Sequence, residues 1–351
     1  MTGTTTLIFV LGLLSIVFAA LIRGNRGIDA VSAISLLALV KIAPATALFL
    51  TTSTVLIPLL LARRWAIDNR APVACFSSLV LLCGLGASRL EDSVIWIGVS
   101  YFVLRHIHVI VDWWLGRLQA PTIRDYFRYQ FFLPVLVAGP INRFPNFKRE
   151  LSRRRVTAES VFVGLERILL GLVSIIIVSN WGLRRLADLA EASTVGTTLF
   201  TQHWITGIFD WLQILFSFGG YSAIAIGLAR IAGITLEENF NAPWRSTDLV
   251  DFWKRWHMTL SSFVRDYLHG PVAAHFRLPA LGAVVSMLAM GLWHDFTVYY
   301  VLWGLWQGMG IALTQFVLAR QPEFPPWMLR LSVPLWLTLT KPVINLLIDS
   351  M

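Results

Sequence analysis

The chain has 351 residues, 56% of them hydrophobic and only 14% charged, with a mean hydropathy of +0.67. Apolar runs of roughly 18 or more residues, the length that crosses a bilayer, recur along it, which excludes an ordinary soluble protein and points to a polytopic membrane protein. A net charge of +9 and a pI near 10.1 would suit nucleic acid, but the basic residues lie in short loops between apolar segments and are read as orientation signals instead.

In chain order, Thr6 to Leu21 is the first expected span. It has no charged leader and no small-residue cleavage site before Arg23, so it is read as retained rather than as a signal peptide. Basic clusters at Arg23/Arg26, Arg63/Arg64/Arg70, Arg117/Arg124/Arg128 and Arg143 to Arg155 are expected on the cytoplasmic side. Between Arg26 and Arg63 the chain must then cross twice, with Lys41 to Pro44 as the outer turn, and crossings over 72–89 and 93–115 return it to Arg117. Cys75 and Cys83 share one apolar segment at no metal or redox spacing and are read as packing residues.

Phe131 to Ala138 is too short to span and lies between basic loops, so it is expected to enter the membrane and return, with Pro134, Gly139 and Pro140 breaking the helix. Such backbone survives at depth only where protein or a wet cavity satisfies it. Further helices are expected over 157–181, 198–218, 280–294, 297–319 and 328–348. Tyr221 to Ala232 and Val250 to Leu268 read as shorter or more polar helices, the second with Asp251, Lys254, Arg255, His257, Arg265 and Asp266. No long linker and no internal repeat interrupts the pattern, so residues 1–351 are read as one membrane domain, and an inverted-repeat transporter is less suited.

Two histidines stand out: His257 at the end of Asp251-Phe252-Trp253-Lys254-Arg255-Trp256-His257, and His294 in Gly291-Leu292-Trp293-His294. An ionisable group at membrane depth is costly and marks a candidate site. Three ordered segments resemble one family. These are Phe132 to Phe144, with Gly139-Pro140-Ile141-Asn142-Arg143; the stretch from Phe218-Gly219-Gly220-Tyr221-Ser222 through Glu238-Asn239-Phe240-Asn241-Ala242-Pro243 to Arg265-Asp266-Tyr267; and Gly291 to His294 followed by Tyr299-Tyr300 and Leu302 to Gly308. Together they resemble the membrane-bound O-acyltransferases, in particular the alginate O-acetyltransferases and the teichoic-acid D-alanine transfer proteins. Three departures bear on donor and acceptor preference: Asp295 where Gly is usual, Leu268-His269-Gly270-Pro271 where aromatics are usual, and Gln307 where His is common.

The resemblance implies an all-α bundle of about 10–11 spanning helices plus re-entrant segments around a central tunnel, in a family whose members are often longer and carry a further closing helix. It also implies acyl transfer from a thioester to a hydroxyl, which needs a base and stabilisation of the tetrahedral intermediate. His294 is assigned as general base, activating the hydroxyl for direct attack, and His257 as the second site histidine, orienting a reactant or donating toward the carbonyl oxygen. No Gly-x-Ser-x-Gly elbow is present, so an acyl-serine route lacks support, while an acyl-histidine intermediate stays open beside direct transfer.

Candidate substrate-binding residues are Trp293, Arg255, Trp256, Ser261, Asn241 and Trp303. Arg255, Arg265 and Asp266 are read first as ion pairs stabilising a polar helix and Asn241 and Pro243 first as shaping the loop before it, while Trp293, Trp303 and Trp306 are the tryptophans suited to walling an acyl tunnel. No metal is expected: His106 and His108 face different directions about Ile107, and His203, His269 and His275 have no ligand spacing. No bound cofactor is expected either. The donor substrate is read as acyl-CoA, acetyl-CoA first, with an acyl-carrier thioester as in D-alanyl transfer as the alternative. The acceptor is read as a hydroxyl of a cell-envelope polysaccharide. Expected partners are the lipid bilayer and a carrier protein or periplasmic enzyme, with no nucleic acid, in a bacterial cytoplasmic (inner) membrane. An envelope-lipid transporter is the rival of a different class.

Overall fold

A computed structural model of the chain describes residues 14–22, 24–90, 96–320 and 325–350. Residues 6–13 of the expected first span lie outside the described residues, and 14–21 are helical. The described chain is all-helical and polytopic in pattern. Among the described residues six helices are long and apolar enough to cross a membrane: Pro44–Leu61, Arg70–Arg89, Ala158–Ser193, Leu199–Ile231, Val298–Ala319 and Trp327–Asp349. The helix Pro279–His294 is apolar but shorter. Two compact units are present, one formed by Met1–Leu170 with Ser222–Glu237 and the other by Gly171–Tyr221 with Glu238–Met351.

In the first unit the expected hairpin forms with a single residue between its helices. Arg26–Ile42 and Pro44–Leu61 are joined by Ala43, and Pro44 occupies a first-turn position where its missing N–H costs nothing. The expected crossing over 93–115 contains the helix Val99–Trp114, which Gly98 begins in the left-handed region at φ 69°. Leu39, Leu50, Phe102, Phe131 and Leu136 meet in a buried apolar cluster.

The short segment after Gln130 is non-helical except for one 3-10 turn, Leu133–Val135, and Phe131 and Phe132 are fully buried. Its neighbouring carbonyls find donors within the protein. Buried Arg105 donates to the carbonyls of Tyr129 (3.0 Å) and Gln130 (3.2 Å), and the Tyr129 hydroxyl donates to Asn142 O (2.6 Å). The Phe144 N–H donates to His108 Nε2 (3.1 Å). His106 Nε2 lies 2.9 Å from Ser53 Oγ, and its Nδ1 lies 2.5 Å from the Tyr126 hydroxyl. His108 thus satisfies a buried backbone N–H at the end of the irregular segment, and His106 links the side chains of two neighbouring helices.

Several helix boundaries differ from expectation. The helix expected to end at 181 continues through a π segment, Ser174–Leu183, into Arg184–Ser193. The helices expected at 198–218 and 221–232 are one 33-residue helix, Leu199–Ile231. Gly219-Gly220 does not break it, because Gly220 serves a close approach: an added Cβ there would lie 2.6 Å from Ile175 Cγ1 and 2.7 Å from Gly171 O. Glycine used this way lets helix backbones pack tightly. Cys75 and Cys83 are exposed rather than packed inside.

In the second unit, helices Pro279–His294 and Val298–Ala319 pack closely along small residues. An added Cβ on Gly304 would lie 2.6 Å from Met287 O, and one on Gly308 would lie 2.7 Å from Val284 Cα. The last helix, Pro326–Asp349, is tied in by the Trp211 indole N–H donating to Leu337 O (2.7 Å), a Lys341–Asp210 ion pair (2.7 Å) and Gln307 Nε2 donating to Thr340 Oγ1 (3.0 Å).

Candidate active site

The polar segment expected as one helix over 250–268 is broken. Helix Leu249–Arg255 ends, Trp256 is extended, His257 adopts φ 41° and ψ 52°, and a second helix runs Met258–Val264 before a π turn, Arg265–His269. A left-handed backbone is uncommon for a non-glycine residue and persists only where neighbours enforce it. The enforcing element is the segment just before helix Leu249–Arg255. The Met258 N–H donates to Asn239 O (2.8 Å), the Asn241 N–H donates to Arg255 O (3.0 Å), and the Thr259 hydroxyl donates to Asn239 Oδ1 (2.6 Å). Asn239 and Thr259 are buried, so this clamp is not shared with water.

His257 is 5% exposed, and its Nε2 is buried without a hydrogen-bond partner among the described residues. An orphaned buried polar atom costs about 1–3 kcal/mol and calls for an explanation, which a substrate group would supply. Burial and the nearby His294 push the His257 pKa down to about 3, so the ring is a neutral hydrogen-bonding group at neutral pH.

His294 is the last residue of helix Pro279–His294 and is half-buried. The two histidines share one aromatic cage. Trp293 lies between them, with ring centroids 6.3 Å from His257 and 4.9 Å from His294. Phe218 meets His257 edge-on at 4.7 Å, Tyr300 stacks on His294 at 5.6 Å, and Trp303 closes the far side of His294 at 5.6 Å. Phe218 and Tyr300 belong to quoted motifs, yet nothing in their residue type separates a cage wall from an ordinary packing aromatic.

The other candidates fall around this cage unevenly. Trp293 and Trp303 line it, whereas Trp306 stacks on Trp336 at 4.1 Å and donates its N–H to Trp336 O, so it packs two helices together. Trp256 packs against Phe252 (5.4 Å), Trp211 and Phe240 (both 5.1 Å). Arg255 pairs with Asp251 at 2.9 Å and donates to Asn241 O at 3.4 Å, and Arg265 pairs with Asp266 at 2.9 Å, the ion-pairing role expected for that helix. Burial raises the Asp251 pKa, but Arg255, the Thr247 N–H and Lys254 outweigh it and hold the carboxyl below its ordinary value. Ser261 donates to Trp256 O (3.0 Å) and lines a cavity of about 350 Å³ with Trp253, Met258 and Met290. Neither His257 nor His294 lines that cavity. Residue Asn239, passed over as a site residue, emerges as the group that fixes the His257 turn.

No group of three or more His, Cys, Asp or Glu capable of holding a metal occurs among the described residues. The cage itself offers two imidazoles among largely apolar walls, groups capable of proton transfer and of hydrogen bonding to a polar reactant. A model of the membrane-bound O-acyltransferase family matches residues 115–339, a range that contains the whole cage. Among curated proteins, the chain is similar to a probable alginate O-acetylase of Pseudomonas syringae pv. tomato, 32% identical over 243 residues, covering 67% of this chain and 45% of the relative. It is also similar to a teichoic acid D-alanyltransferase of Streptococcus thermophilus (26% over 232 residues; 62% and 56%). A peptidoglycan O-acetyltransferase of Helicobacter pylori is 30% identical over 197 residues (54% and 37%). The chain spans about half the length of the curated relatives it matches. With the family model covering well over half of its residues, the chain belongs to the membrane-bound O-acyltransferase family.

Proposed function

We propose that residues 1–351 act as one multi-pass membrane domain that transfers an acyl group from a thioester to a hydroxyl, with His294 as general base. The observation that carries this reading is the shared aromatic cage, in which Trp293 touches both histidine rings and the His257 Nε2 is buried without a partner. His294 takes the hydroxyl proton as the oxygen attacks the thioester carbonyl carbon. The carbon–sulfur bond then breaks, and the thiol leaves with that proton, so an ester and a free thiol are formed. Neutral His257 can donate toward the carbonyl oxygen or accept from the hydroxyl, and either contact would satisfy its orphaned nitrogen. Trp293 and Trp303 would exclude water, which otherwise competes with the acceptor.

Acetyl is the preferred acyl group, delivered as acetyl-CoA, and the acceptor is a cell-envelope polysaccharide. Similarity to a probable alginate O-acetylase and to a peptidoglycan O-acetyltransferase supports that preference. The teichoic acid D-alanyltransferase supports the alternative, transfer from a carrier-protein thioester with that carrier as partner. A bacterial cytoplasmic membrane is the location in which a cytoplasmic thioester and an extracytoplasmic hydroxyl could both reach one site.

The test is mass spectrometry of ester-linked acyl groups on envelope polymers from cells lacking the protein, complemented by wild type or by His294→Ala at matched membrane abundance. Removing a general base costs about 10²–10⁴-fold, so the ester should vanish in the null strain, return with wild type and stay below detection with His294→Ala. Full rescue by His294→Ala would remove that residue from the mechanism.

A further inference from the structure

A second cavity, of about 860 Å³, belongs to the same unit as the histidine cage. Small-molecule sites fall at roughly 300–1,000 Å³, so its size suits an organic occupant. Its walls are aromatic and aliphatic, with Trp211, Trp256, Leu331 and Leu337 among them, and neither His257 nor His294 takes part. Two cations, Arg245 and Arg330, line it, and among the described residues no carboxylate does. Both arginines are exposed, and neither has a side-chain hydrogen bond or ion pair among the described residues.

The position of these groups matches a membrane interface. Trp244, next to Arg245, is 73% exposed, and Trp327, one turn before Arg330, is 60% exposed. Exposed tryptophans beside arginines at a span's end are the pattern of side chains anchored at headgroup level. Arg330 belongs to the first turns of the span Trp327–Asp349, where charge is tolerated because it can reach the interface. An apolar groove lined by two guanidinium groups that have no partner among the described residues is complementary to an amphiphile with an anionic phosphate and an apolar chain, which the surrounding bilayer supplies as its anionic lipids.

We infer that this groove binds an anionic glycerophospholipid of the surrounding bilayer, its phosphate between Arg245 and Arg330 and one chain along Trp211, Trp256 and Leu337. A zwitterionic lipid of equal chain length would fill the groove but bring a cationic amine toward the arginines. Discrimination between the two therefore isolates the guanidinium contribution.

The full chain is purified in detergent and stripped of lipid, and native mass spectrometry then follows competition between phosphatidylglycerol and phosphatidylcholine of identical chains. Each arginine near a lipid phosphate contributes enough to expect roughly a tenfold preference for phosphatidylglycerol. Arg245→Gln with Arg330→Gln should reduce that preference to near parity, Arg245→Lys with Arg330→Lys should keep most of it, and Arg184→Gln with Arg185→Gln, on an exposed helix elsewhere, should leave it unchanged. Equal binding of the two lipids by wild type, an unchanged preference in the double glutamine variant, or an equal loss in the Arg184/Arg185 control would overturn the proposal. If the double glutamine variant does not fold, each single glutamine variant must lower the preference, and failure of both to do so is equally decisive.

Discussion

Replacing Gly304 by alanine tests how far the site depends on helix spacing rather than on the histidines alone. A methyl group at Gly304 would stand 2.6 Å from Met287 O and 2.7 Å from Leu288 Cα, where ordinary contacts begin at 3.4 Å. Both obstacles are backbone atoms of helix Pro279–His294, so no side chain can swing aside. The two helices must part by about 0.8 Å, the shortfall between those distances. Overpacking of this kind costs about 1–3 kcal/mol, which a membrane helix bundle can survive.

The chemical consequence is larger. His294 ends one of these helices, and its walls Tyr300 and Trp303 belong to the other. Separating the helices would displace the proposed base from the groups that aim it, and a misplacement of about 1 Å can cost on the order of 100-fold in rate. Gly304→Ala should therefore accumulate in the membrane at near wild-type abundance while ester formation falls by roughly 30- to 100-fold. The control is Gly86→Ala, inside helix Arg70–Leu90, where an added Cβ meets nothing within 4 Å; it should be neutral or slightly stabilising. The assay is ester quantification per mole of membrane-inserted protein. Activity of Gly304→Ala within threefold of wild type would mean that the helix spacing does not set the geometry of the base.

Two further outcomes follow from the His257 turn. Asn239→Ala removes the acceptor of the buried Thr259 hydroxyl, so it should destabilise the protein by about 1–3 kcal/mol in a detergent melt, and the Asn239→Ala/Thr259→Val pair should recover part of that loss; an unchanged melt would show that the clamp is not what fixes the turn. The His257 pKa is lowered to about 3 in the fold against about 6.5 in the unfolded chain, so its contribution to stability is complete above pH 6.5 and is lost as pH falls toward 3. By pH 5 the loss should be roughly 2 kcal/mol, and His257→Gln should flatten that part of the melting curve against pH. Identical acid sensitivity in the variant would place the effect elsewhere.

The features legible in the sequence were those that hydropathy and local breakers encode. Ala43 turns the first hairpin inside the predicted Lys41 to Pro44 interval, and the segment after Gln130 loses helix where Pro134, Gly139 and Pro140 stand. The Arg255–Asp251 pair was also readable, because residues four apart share a helix face. What failed was the meaning of glycine and tryptophan. The expected gap between residues 218 and 221 holds Gly219-Gly220, but a missing Cβ serves a close helix approach as well as it serves a turn, and only the neighbour at Ile175 decides which. Trp303 and Trp306 are three residues apart and chemically alike, yet one faces His294 and the other Trp336, a difference set by which helix lies on each side.

The failure at His257 has a different character. The pattern from Val250 to Leu268 continues as one polar helix, and no proline or glycine interrupts it. The break is imposed from outside, by the Asn239–Asn241 backbone and the Asn239 side-chain oxygen that accepts from the Thr259 hydroxyl, on a residue whose own preference is against it. Natural sequences are locally consistent almost everywhere, and the exceptions concentrate where function requires a geometry that local propensity would not choose. Here the exception coincides with a buried, unpartnered imidazole nitrogen beside the Trp293 cage. An unbroken helix would carry His257 onward in the regular path of the helix and give the Asn239 carbonyl no Met258 N–H to accept from. The strained turn is thus the device that would turn an ordinary helix residue into a fixed member of the proposed two-histidine site.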